Sequence, residues 1–318
     1  MVANQFIAQG HPIKLVLSQC GVARSSYYYK PKEHPGKKGK EKSRFTVTDD
    51  GQLISNEQVV EQISDLLSEE FVDYGYLKVT HWLRKRKGYI INKKKVYRLM
   101  GESGLLNKIK PKKKGKRTWV KELLPPAEVP FDYLEFDIKY IYVAAERRNA
   151  LLLTVIDVSS RWSVGQYLSW NINKKNVIKL FDQIFEGYPL PKHFYVRNDN
   201  GSQFIAEEVQ LYFQSKGITQ EFCKPATPEQ NAHIESYHSI LERVICQRYE
   251  FKSLLEAQNT FNRFVKFYNF DRIHSGVGYQ SPNEYLIENH LSVEENDLVL
   301  AMDCSSLDCL KEASTITN

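Results

Sequence analysis

The spacing of apolar residues predicts three helices over residues 55–107. Ser55 or Asn56 can cap the first helix, and apolar side chains then recur every three or four positions, as on the buried face of a helix: Val59, Val60, Ile63, Leu66 and Leu67. A turn at 73–75 leads to a second helix over 77–87, and a third helix begins after Asn92. The third helix directs Val96, Leu99 and Met100 inward and its basic residues outward, namely Lys93, Lys94, Lys95 and Arg98. Residues 11–29 predict another helix, a turn and a short helix.

After Pro130 the pattern changes to segments rich in aromatic and β-branched residues, which predict strands. Two of them, 133–143 and 150–162, form a hairpin around a polar turn at 146–149. The following elements are a strand over 163–168, a helix over 174–188, a strand over 193–197, a helix over 206–216, a strand over 219–223 and a further helix. This order predicts an α/β fold with a mixed five-stranded sheet flanked by helices, rather than a uniformly parallel sheet.

Shifts in composition divide the chain into six expected regions. A short helix-turn-helix-like segment covers 1–31, a basic flexible linker 32–54 and an all-α helical domain 55–107. A second basic linker covers 108–126, the α/β core 127–288 and a loose acidic tail 289–318. Both linkers combine proline, glycine and charge with few apolar side chains, which favours mobility.

The overall composition is that of an ordinary globular protein. Of 318 residues, 42% are hydrophobic and 26% charged, which excludes wholesale disorder, a collagen-like repeat and a disulfide-dense mini-fold. The longest apolar runs, such as 150–158, fall short of the ~20 residues that a spanning helix needs, and no secretory signal is visible. The five cysteines are odd in number and scattered, so we expect reduced thiols, a cytoplasmic location and no structural zinc site.

Charge is distributed unevenly along the chain. Residues 1–120 hold 25 Lys and Arg against 11 Asp and Glu, a net charge of +14, whereas 121–318 have a net charge of −8. A basic front half joined to an acidic back half suggests a nucleic-acid-binding region attached to a part that uses carboxylates. The basic third helix suits the major groove of DNA, and the second linker can lie along phosphates through Lys112, Lys113 and Lys114. The alternative is a solvated basic surface without a partner.

Three acids stand out by position. Asp137 lies inside a mostly apolar strand, where a charge is costly unless it is paired or binds a cation. Asp199 follows the fourth strand in an Asn- and Gly-rich turn, and Glu235 opens a helix after a proline-containing loop. Acids from separate elements can converge on two divalent cations about 3.5 to 4 Å apart, which suit in-line phosphoryl transfer. Taken singly, the last two also fit a turn residue and a helix-dipole partner.

The motifs around these acids carry a resemblance to a known family. FDIKY, NDNGSQF and NAHIESY occur in this order, with 35 residues between Asp199 and Glu235. This pattern resembles the DDE catalytic core of retroviral integrases and many transposases, which has a ribonuclease H-like fold. The segments VDYGYLKVTHWL, KKKVYRLMGESGLL and FYNFDRIHSGVGYQSPNEYL extend the resemblance to the OrfB-type transposases of the IS-three insertion-sequence family.

The resemblance implies a function and a set of roles. Asp137, Asp199 and Glu235 become the catalytic, metal-binding acids, with Mg²⁺ or Mn²⁺, and two ions, as the expected cofactor. The implied enzyme cuts DNA at the ends of a mobile element and joins the freed ends to target DNA as an oligomer, without ATP. In the resembled family the active enzyme is usually a fusion with an upstream-frame DNA-binding segment, so the sequence leaves open whether this chain acts alone. A non-catalytic DNA-binding regulator, a decayed element product and a hydrolysis-only nuclease are the alternatives.

The chain departs from the family pattern at two positions. Glu242 occupies the place, seven residues after Glu235, where many relatives have a basic residue that touches the DNA end, and Arg243 follows it. We expect either that Glu242 points away from DNA or that Arg243 and nearby cations offset its charge. Leu77 stands where relatives often have arginine.

Other candidate residues are predicted to be structural. Asp157, in the second strand of the hairpin, has no matching motif position, and His233 and His238 are spaced wrongly for zinc. His274 and Tyr279 are expected to pack or to contact DNA, whereas core positions are expected for Trp82, Trp162 and Tyr133.

Overall fold

The computed structural model describes residues 2–29, 41–107, 127, 129–224 and 228–302. The chain divides into two compact units, Met1–Arg44 and Phe45–Asn318. The first contains three short helices, α1 (Val2–Ala8), α2 (Ile13–Gln19) and α3 (Arg24–Tyr27), around a small core formed by Ala3, Val16 and Leu17. The helices predicted over residues 11–29 are therefore present.

The second unit begins with what we call the helical domain, residues 45–107. Its helices are α4 (Asn56–Ser68), α5 (Tyr76–Lys87) and α6 (Lys93–Glu102), close to the predicted bounds. Ser55 caps α4 by accepting a hydrogen bond from the Gln58 N–H, and α5 ends at Gly88 in the left-handed region (φ 63°), which favours glycine. The predicted apolar stripes form one core, which contains Val59, Ile63, Leu66, Val79, Leu83, Val96, Leu99 and Met100.

The helical domain also contains a three-stranded sheet, so the prediction of an all-α domain was wrong. Strands β1 (Phe45–Thr48), β2 (Leu53–Ser55) and β3 (Tyr89–Ile90) pair in the order β2-β1-β3. β1 and the first two residues of β2 lie within 32–54, which was predicted to be a flexible linker. The hydrophobic pattern hid β1 because its buried side chains are Thr46 and Thr48, whereas Phe45 and Val47 are exposed.

The rest of the second unit, residues 129–302, is the α/β core. It contains the hairpin β4 (Tyr133–Val143) and β5 (Arg148–Asp157), then β6 (Ser163–Ser169), α7 (Lys174–Gly187), β7 (Tyr195–Asn198), α8 (Ser202–Ile205), α9 (Glu207–Ser215) and β8 (Thr219–Phe222). The elements that follow are α10 (Ala232–Leu241), α11 (Leu254–Lys266), α12 (Pro282–Glu288) and β9 (Val299–Met302).

These strands form one mixed sheet in the order β8-β7-β4-β5-β6-β9. Strand β5 pairs antiparallel with both β4 and β6. The pairs β4–β7, β7–β8 and β6–β9 are parallel. The five predicted strands are present, and β9 is a sixth. It lies in the region 289–318, which was predicted to be a loose tail. The strand forms there because a short apolar segment, 299–302, interrupts the otherwise acidic sequence.

Hydrophobic cores lie on both faces of this sheet. One includes Phe136, Leu180, Phe181 and Phe213, and the other includes Leu152, Tyr237, Leu241, Phe261 and Phe264. Trp162 and Tyr133 are buried as predicted, and Trp82 is half-buried against the core of the helical domain.

The cysteines and the lengths of the helices were also considered from the sequence. Cys20, Cys223 and Cys246 are free thiols, whereas Cys304 and Cys309 lie outside the described residues. None of the helices in the described ranges is long and apolar enough to cross a membrane.

Candidate active site and DNA-binding surface

Asp137 lies within β4, and Asp199 directly follows β7, the parallel neighbour of β4. The register pairs Glu135 of β4 with Arg197 of β7. Asp137 lies two residues beyond Glu135, and Asp199 lies two residues beyond Arg197. Since parallel strands advance together along the sheet, both acids lie at the same level, at the carboxyl end of β7. Asp199 is exposed and Asp137 is partly buried.

The Asp137 carboxylate lies in a crowded acidic environment. Burial raises its pKa to about 7, and the charges of Asp199 and Glu235 act in the same direction. Its Oδ1 atom accepts a hydrogen bond of 2.8 Å from the Ile138 N–H, and its Oδ2 atom lies 3.6 Å from His238 Nδ1. Burial lowers the pKa of His238 to about 3, so this imidazole is neutral at pH 7. Asp199 and Glu235 therefore both act electrostatically on Asp137.

The turn that carries Asp199 is held by amide side chains and by its own backbone. The Gly201 N–H donates to Asp199 Oδ1 at 2.9 Å. Asn200 Nδ2 donates to the Cys223 carbonyl at 3.0 Å, and Gln220 Nε2 donates to Asn198 Oδ1 at 2.9 Å. These bonds tie the turn to β8 and the segment after it, which fixes the position of the carboxylate.

Glu235 lies in the first turn of α10, and Glu135 anchors the start of that helix. The Glu135 side chain is 1% exposed, and its Oε2 atom accepts hydrogen bonds from the N–H groups of His233 (3.0 Å) and Ile234 (2.9 Å). The first N–H groups of a helix lack intrahelical partners, so this carboxylate both satisfies them and fixes α10 against β4. Sequence reasoning missed Glu135, although the argument that identified Asp137, an acid inside an apolar strand, applies equally to it.

Arg197 extends the same buried network. It is 5% exposed, donates to the Gln230 carbonyl at 2.8 Å and pairs with Glu221 at 2.8 Å. Its guanidinium lies 4.9 Å from the centre of the Tyr133 ring, and the Tyr133 hydroxyl donates to Glu221. The network thus joins β4, β7 and β8 to the backbone just before α10.

Glu242 and Arg243 both have partners in the second unit. Lys139 of β4 donates to Glu242 at 2.9 Å, so a cation lies beside the Glu242 carboxylate. Arg243 donates to Asp73 Oδ2 through Nε (3.0 Å) and Nη2 (2.9 Å) and to the Ser239 carbonyl through Nη1. Residues Glu242–Cys246 form a π-helical turn, so the ideal α-helical angle between Glu235 and Arg243 does not apply. A DNA contact of Arg243 stays a prediction.

The predicted DNA-binding residues of α6 differ in their environments. Lys93 and Lys94 are exposed in the first turn of the helix. Lys95 donates to the Phe45 carbonyl at 2.6 Å, and Arg98 pairs with Glu102 at 3.4 Å. Lys112, Lys113 and Lys114 lie outside the described residues.

The remaining candidates have structural contacts. Asp157 is fully buried and accepts hydrogen bonds from the N–H groups of Phe131 and Ser160. His233 contacts Arg161, whereas the His238 ring contacts Thr154, so the two imidazoles have different neighbours. His274 is buried against Tyr268.

Tyr279, the other residue expected to pack or to contact DNA, packs against the helical domain. Its ring stacks on His81 of α5, with the ring centres 3.7 Å apart.

The acidic cluster fits a divalent cation by its chemistry. Carboxylate oxygens are the ligands that Mg²⁺ and Mn²⁺ prefer, and a cation would relieve the mutual repulsion that acts on Asp137. Over the described ranges, no group of three or more His, Cys, Asp and Glu side chains has a ready metal-binding arrangement.

Comparison with known families agrees with this geometry. Two models described as "Integrase core domain" match residues 127–228 and 216–282, and a model described as "HTH-like domain" matches residues 55–113. Residues 127–282 of the chain are thus similar to integrase core domains. The predicted α/β core with a mixed sheet is confirmed, as is the helix-turn-helix-like region before it.

Individual relatives come from bacterial insertion elements. An uncharacterized 39.2 kDa protein of insertion element IS476 from Xanthomonas euvesicatoria is 31% identical over 71% of this chain, and the match spans 64% of that relative. The transposase for insertion sequence element IS904 from Lactococcus lactis is 29% identical over 74% of this chain and 95% of its own length. Among solved structures, the HTLV-2 integrase catalytic core domain in complex with magnesium aligns at 17% identity and a TM-score of 0.39, over 49% of this chain and 97% of that one.

Proposed function

We propose that this protein is a DDE transposase, which cleaves DNA at the ends of a mobile element and joins the freed 3′-hydroxyls to target DNA. The observation that supports the proposal is the electrostatic influence on Asp137 of β4 from two acids of other elements, Asp199 after β7 and Glu235 in the first turn of α10. The names of the insertion-element relatives support it.

In this proposal Asp137, Asp199 and Glu235 are the catalytic residues and would hold Mg²⁺ or Mn²⁺, most simply two ions. Such ions activate the attacking oxygen and stabilise the leaving oxygen of an in-line phosphoryl transfer. Other residues of the chain hold these acids in position. Glu135 fixes the start of α10 and therefore the location of Glu235, while the bonded turn at Asn198 to Gly201 holds Asp199 beside Asp137.

Both proposed steps replace one phosphorus–oxygen bond with another. In cleavage, a water oxygen bonds to the phosphorus, and the 3′ oxygen of the element end leaves and takes up a proton. In joining, that 3′-hydroxyl loses its proton and attacks a target phosphodiester, whose own 3′ oxygen leaves. The number of bonds is unchanged, so neither ATP nor a covalent protein intermediate is required.

DNA is the proposed partner, and the helical domain is its proposed point of contact. Lys93 and Lys94, exposed at the start of α6, are placed to meet backbone phosphates. We further propose that the active form is a homo-oligomer assembled on DNA, with or without an upstream-frame DNA-binding protein.

Single substitutions of the three acids test the catalytic assignment. Asp137→Asn, Asp199→Asn and Glu235→Gln should each abolish cleavage and joining of a labelled duplex that carries the element end. Each should also weaken Mn²⁺ binding measured by calorimetry, while DNA affinity stays near that of the unmodified protein. Glu207→Gln, an exposed acid on α9, is the matched control and should retain activity. Cleavage by the Asp199→Asn protein would overturn the assignment, and cleavage without any joined product would identify a nuclease instead.

The two exposed lysines of α6 test the DNA-binding assignment. Each phosphate contact contributes about 0.9 to the slope of log affinity against log salt for duplex DNA. Lys93→Gln with Lys94→Gln should therefore weaken binding and lower that slope by roughly two units if both lysines contact phosphates. Lys174→Gln with Lys175→Gln, exposed at the start of α7, is the control pair. An unchanged slope would assign Lys93 and Lys94 to a solvated surface.

A further inference from the structure

A cavity of about 440 Å³ lies between the helical domain and the α/β core, and we call it the junction cavity. From the helical domain it is lined by Asp73, Tyr76, Lys78 and Tyr97, and from the core by Arg243 and Arg272. Its size is within the range of small-molecule binding sites. Three cationic side chains and a single acid among these six residues give the cavity an excess of positive charge.

Arg272 is the buried cation of the junction cavity. It is 1% exposed, and its Nη2 atom donates to Asp73 Oδ1 at 2.6 Å. Its Nε and Nη1 atoms are buried and have no hydrogen-bond partner among the described residues. Arg243 already occupies the other oxygen of Asp73. Two guanidinium nitrogens without an acceptor are costly to bury, and both have almost no accessible surface, so Arg272 contributes positive charge to the cavity rather than an accessible hydrogen-bond donor.

Lys78 adds a second cation with incomplete pairing. Its ammonium lies 5.2 Å from the centre of the Tyr74 ring, and it has no hydrogen-bond acceptor in the parts of the chain that the structure describes. Burial lowers its pKa to about 7, and the Arg272 charge acts in the same direction more strongly than Asp73 opposes it. Phosphate oxygens can accept hydrogen bonds from a lysine ammonium.

Aromatic rings form another part of the cavity wall. Tyr97 projects from α6, the helix that carries Lys93 and Lys94, and 51% of Tyr97 is exposed. It meets Tyr76 edge to face, with the ring centres 5.0 Å apart. Exposed tyrosine rings beside cations are the combination that binds nucleotides of a single DNA strand, because bases stack on the rings while cations hold the backbone.

We propose that the junction cavity binds one nucleotide of a DNA strand, with its phosphate on Lys78 and its base against Tyr97. This inference rests on the proposed function, since it assumes that the protein acts on DNA. The cavity then gives the strand a fixed point between α6 and the π-helical turn that follows α10. A strand held there is aligned with the helix that carries Glu235.

Two single-stranded probes separate the phosphate contact from the base contact. One is a ten-nucleotide thymidine strand, and the other is the same sugar–phosphate strand with abasic sites throughout. Lys78→Met should weaken binding of both probes in fluorescence anisotropy and lower the salt slope by about 0.7, the value for one contact on a single strand. Lys78→Arg should restore most of the affinity. Lys175→Met, a change of an exposed lysine in the first turn of α7, should bind both probes like the unmodified protein.

Tyr97→Ala should weaken binding of the thymidine strand about 5- to 100-fold, as expected for loss of one stacked base, and leave the abasic strand unaffected. Tyr97→Phe should retain binding because it keeps the ring. Tyr97 is exposed, so its alanine variant should fold, and it decides the matter even if Lys78→Met is unstable. Unchanged binding of the thymidine strand by Tyr97→Ala, or equal loss on both probes, would overturn the nucleotide site. Such a result would leave the proposed function untouched. The proposed function fails only if the Asp137→Asn protein still cleaves the element end.

Discussion

At the scale of single residues, Asp157 has a carboxylate that is used for structure. It is fully buried, and its two oxygens accept hydrogen bonds from the N–H groups of Phe131 (3.0 Å) and Ser160 (2.7 Å). These bonds fix the turn between β5 and β6 to the segment before β4. Burial nevertheless raises the pKa of Asp157 to about 6, because the hydrogen bonds only partly replace the lost hydration.

The raised pKa makes the contribution of Asp157 to stability depend on pH. The folded chain keeps a proton on this group up to about pH 6, whereas the unfolded chain releases it near the ordinary value of 3.8. Between these values the folded state binds more protons, so stability from this group falls as pH rises. The free energy of unfolding of the unmodified protein, relative to Asp157→Asn, should therefore fall by up to about 3 kcal/mol over this window. Urea titrations of both proteins at pH 4, 5 and 6 measure this difference. Free energies of unfolding that change equally with pH in the two proteins would contradict the prediction.

At the scale of elements, the position of α10 depends on contacts outside the helix. The Asn231 side chain does not cap α10, and the buried Glu135 carboxylate accepts two of its first N–H groups instead. At the other end, the helix continues into the π-helical turn Glu242–Cys246, where Lys139 of β4 pairs with Glu242. Strand β4 therefore supplies one proposed catalytic acid and also holds both ends of the helix that supplies another.

Glu135 is accordingly predicted to be a positioning residue. Glu135→Ala leaves two helix N–H groups without an acceptor and removes an acid beside buried Arg197, so stability should fall by about 2–4 kcal/mol. Glu135→Gln keeps an acceptor oxygen and should cost less. In both variants kcat for strand cleavage should fall while the Kd for DNA stays constant, because the position of Glu235 changes and the DNA-binding surface does not. Weaker DNA binding with unchanged kcat would contradict a positioning role, and Glu207→Gln is again the control.

At the scale of the whole molecule, the helical domain and the α/β core are joined by charged contacts of two kinds. Asp73 of the helical domain pairs with Arg272, which is 1% exposed, and with Arg243. Glu70 pairs with Arg263 at 3.0 Å, and both of these side chains are about half exposed. Loss of one partner lowers stability far more in a buried ion pair than in an exposed one. In the buried pair the remaining charge stays out of water without a partner, whereas in the exposed pair water solvates it.

The two acids give a matched pair of variants. Asp73→Ala should lower the free energy of unfolding by about 3–5 kcal/mol, since Arg272 stays buried without its carboxylate. Glu70→Ala should lower it by about 1 kcal/mol or less. Thermal and urea unfolding of the full chain measure both values. Equal losses in the two variants would show that burial of Arg272 does not control the junction.

The sequence by itself determined the features that depend on local pattern. Apolar spacing located α4, α5 and α6, runs of aromatic and β-branched residues located most of β4 to β8, and the motifs around Asp137, Asp199 and Glu235 carried the resemblance to the integrase core. These signals are readable because a helix or a strand buries one face, and the side chains of that face recur at a fixed period. Two strands are not predicted from such periods. Strand β1 buries polar side chains, and β9 is a short segment within an acidic region.

Only the tertiary structure decided which charged residues act together. An acid inside an apolar strand gives the same sequence signal at Glu135, Asp137 and Asp157, yet the first anchors α10, the second faces the other acids and the third holds a turn. In the same way, Arg243 looks available for DNA in the sequence and is bonded to Asp73 in the fold. The reason is physical: the cost of burying a charge depends on its partner, and the partner of buried Arg272 lies 199 residues away along the chain.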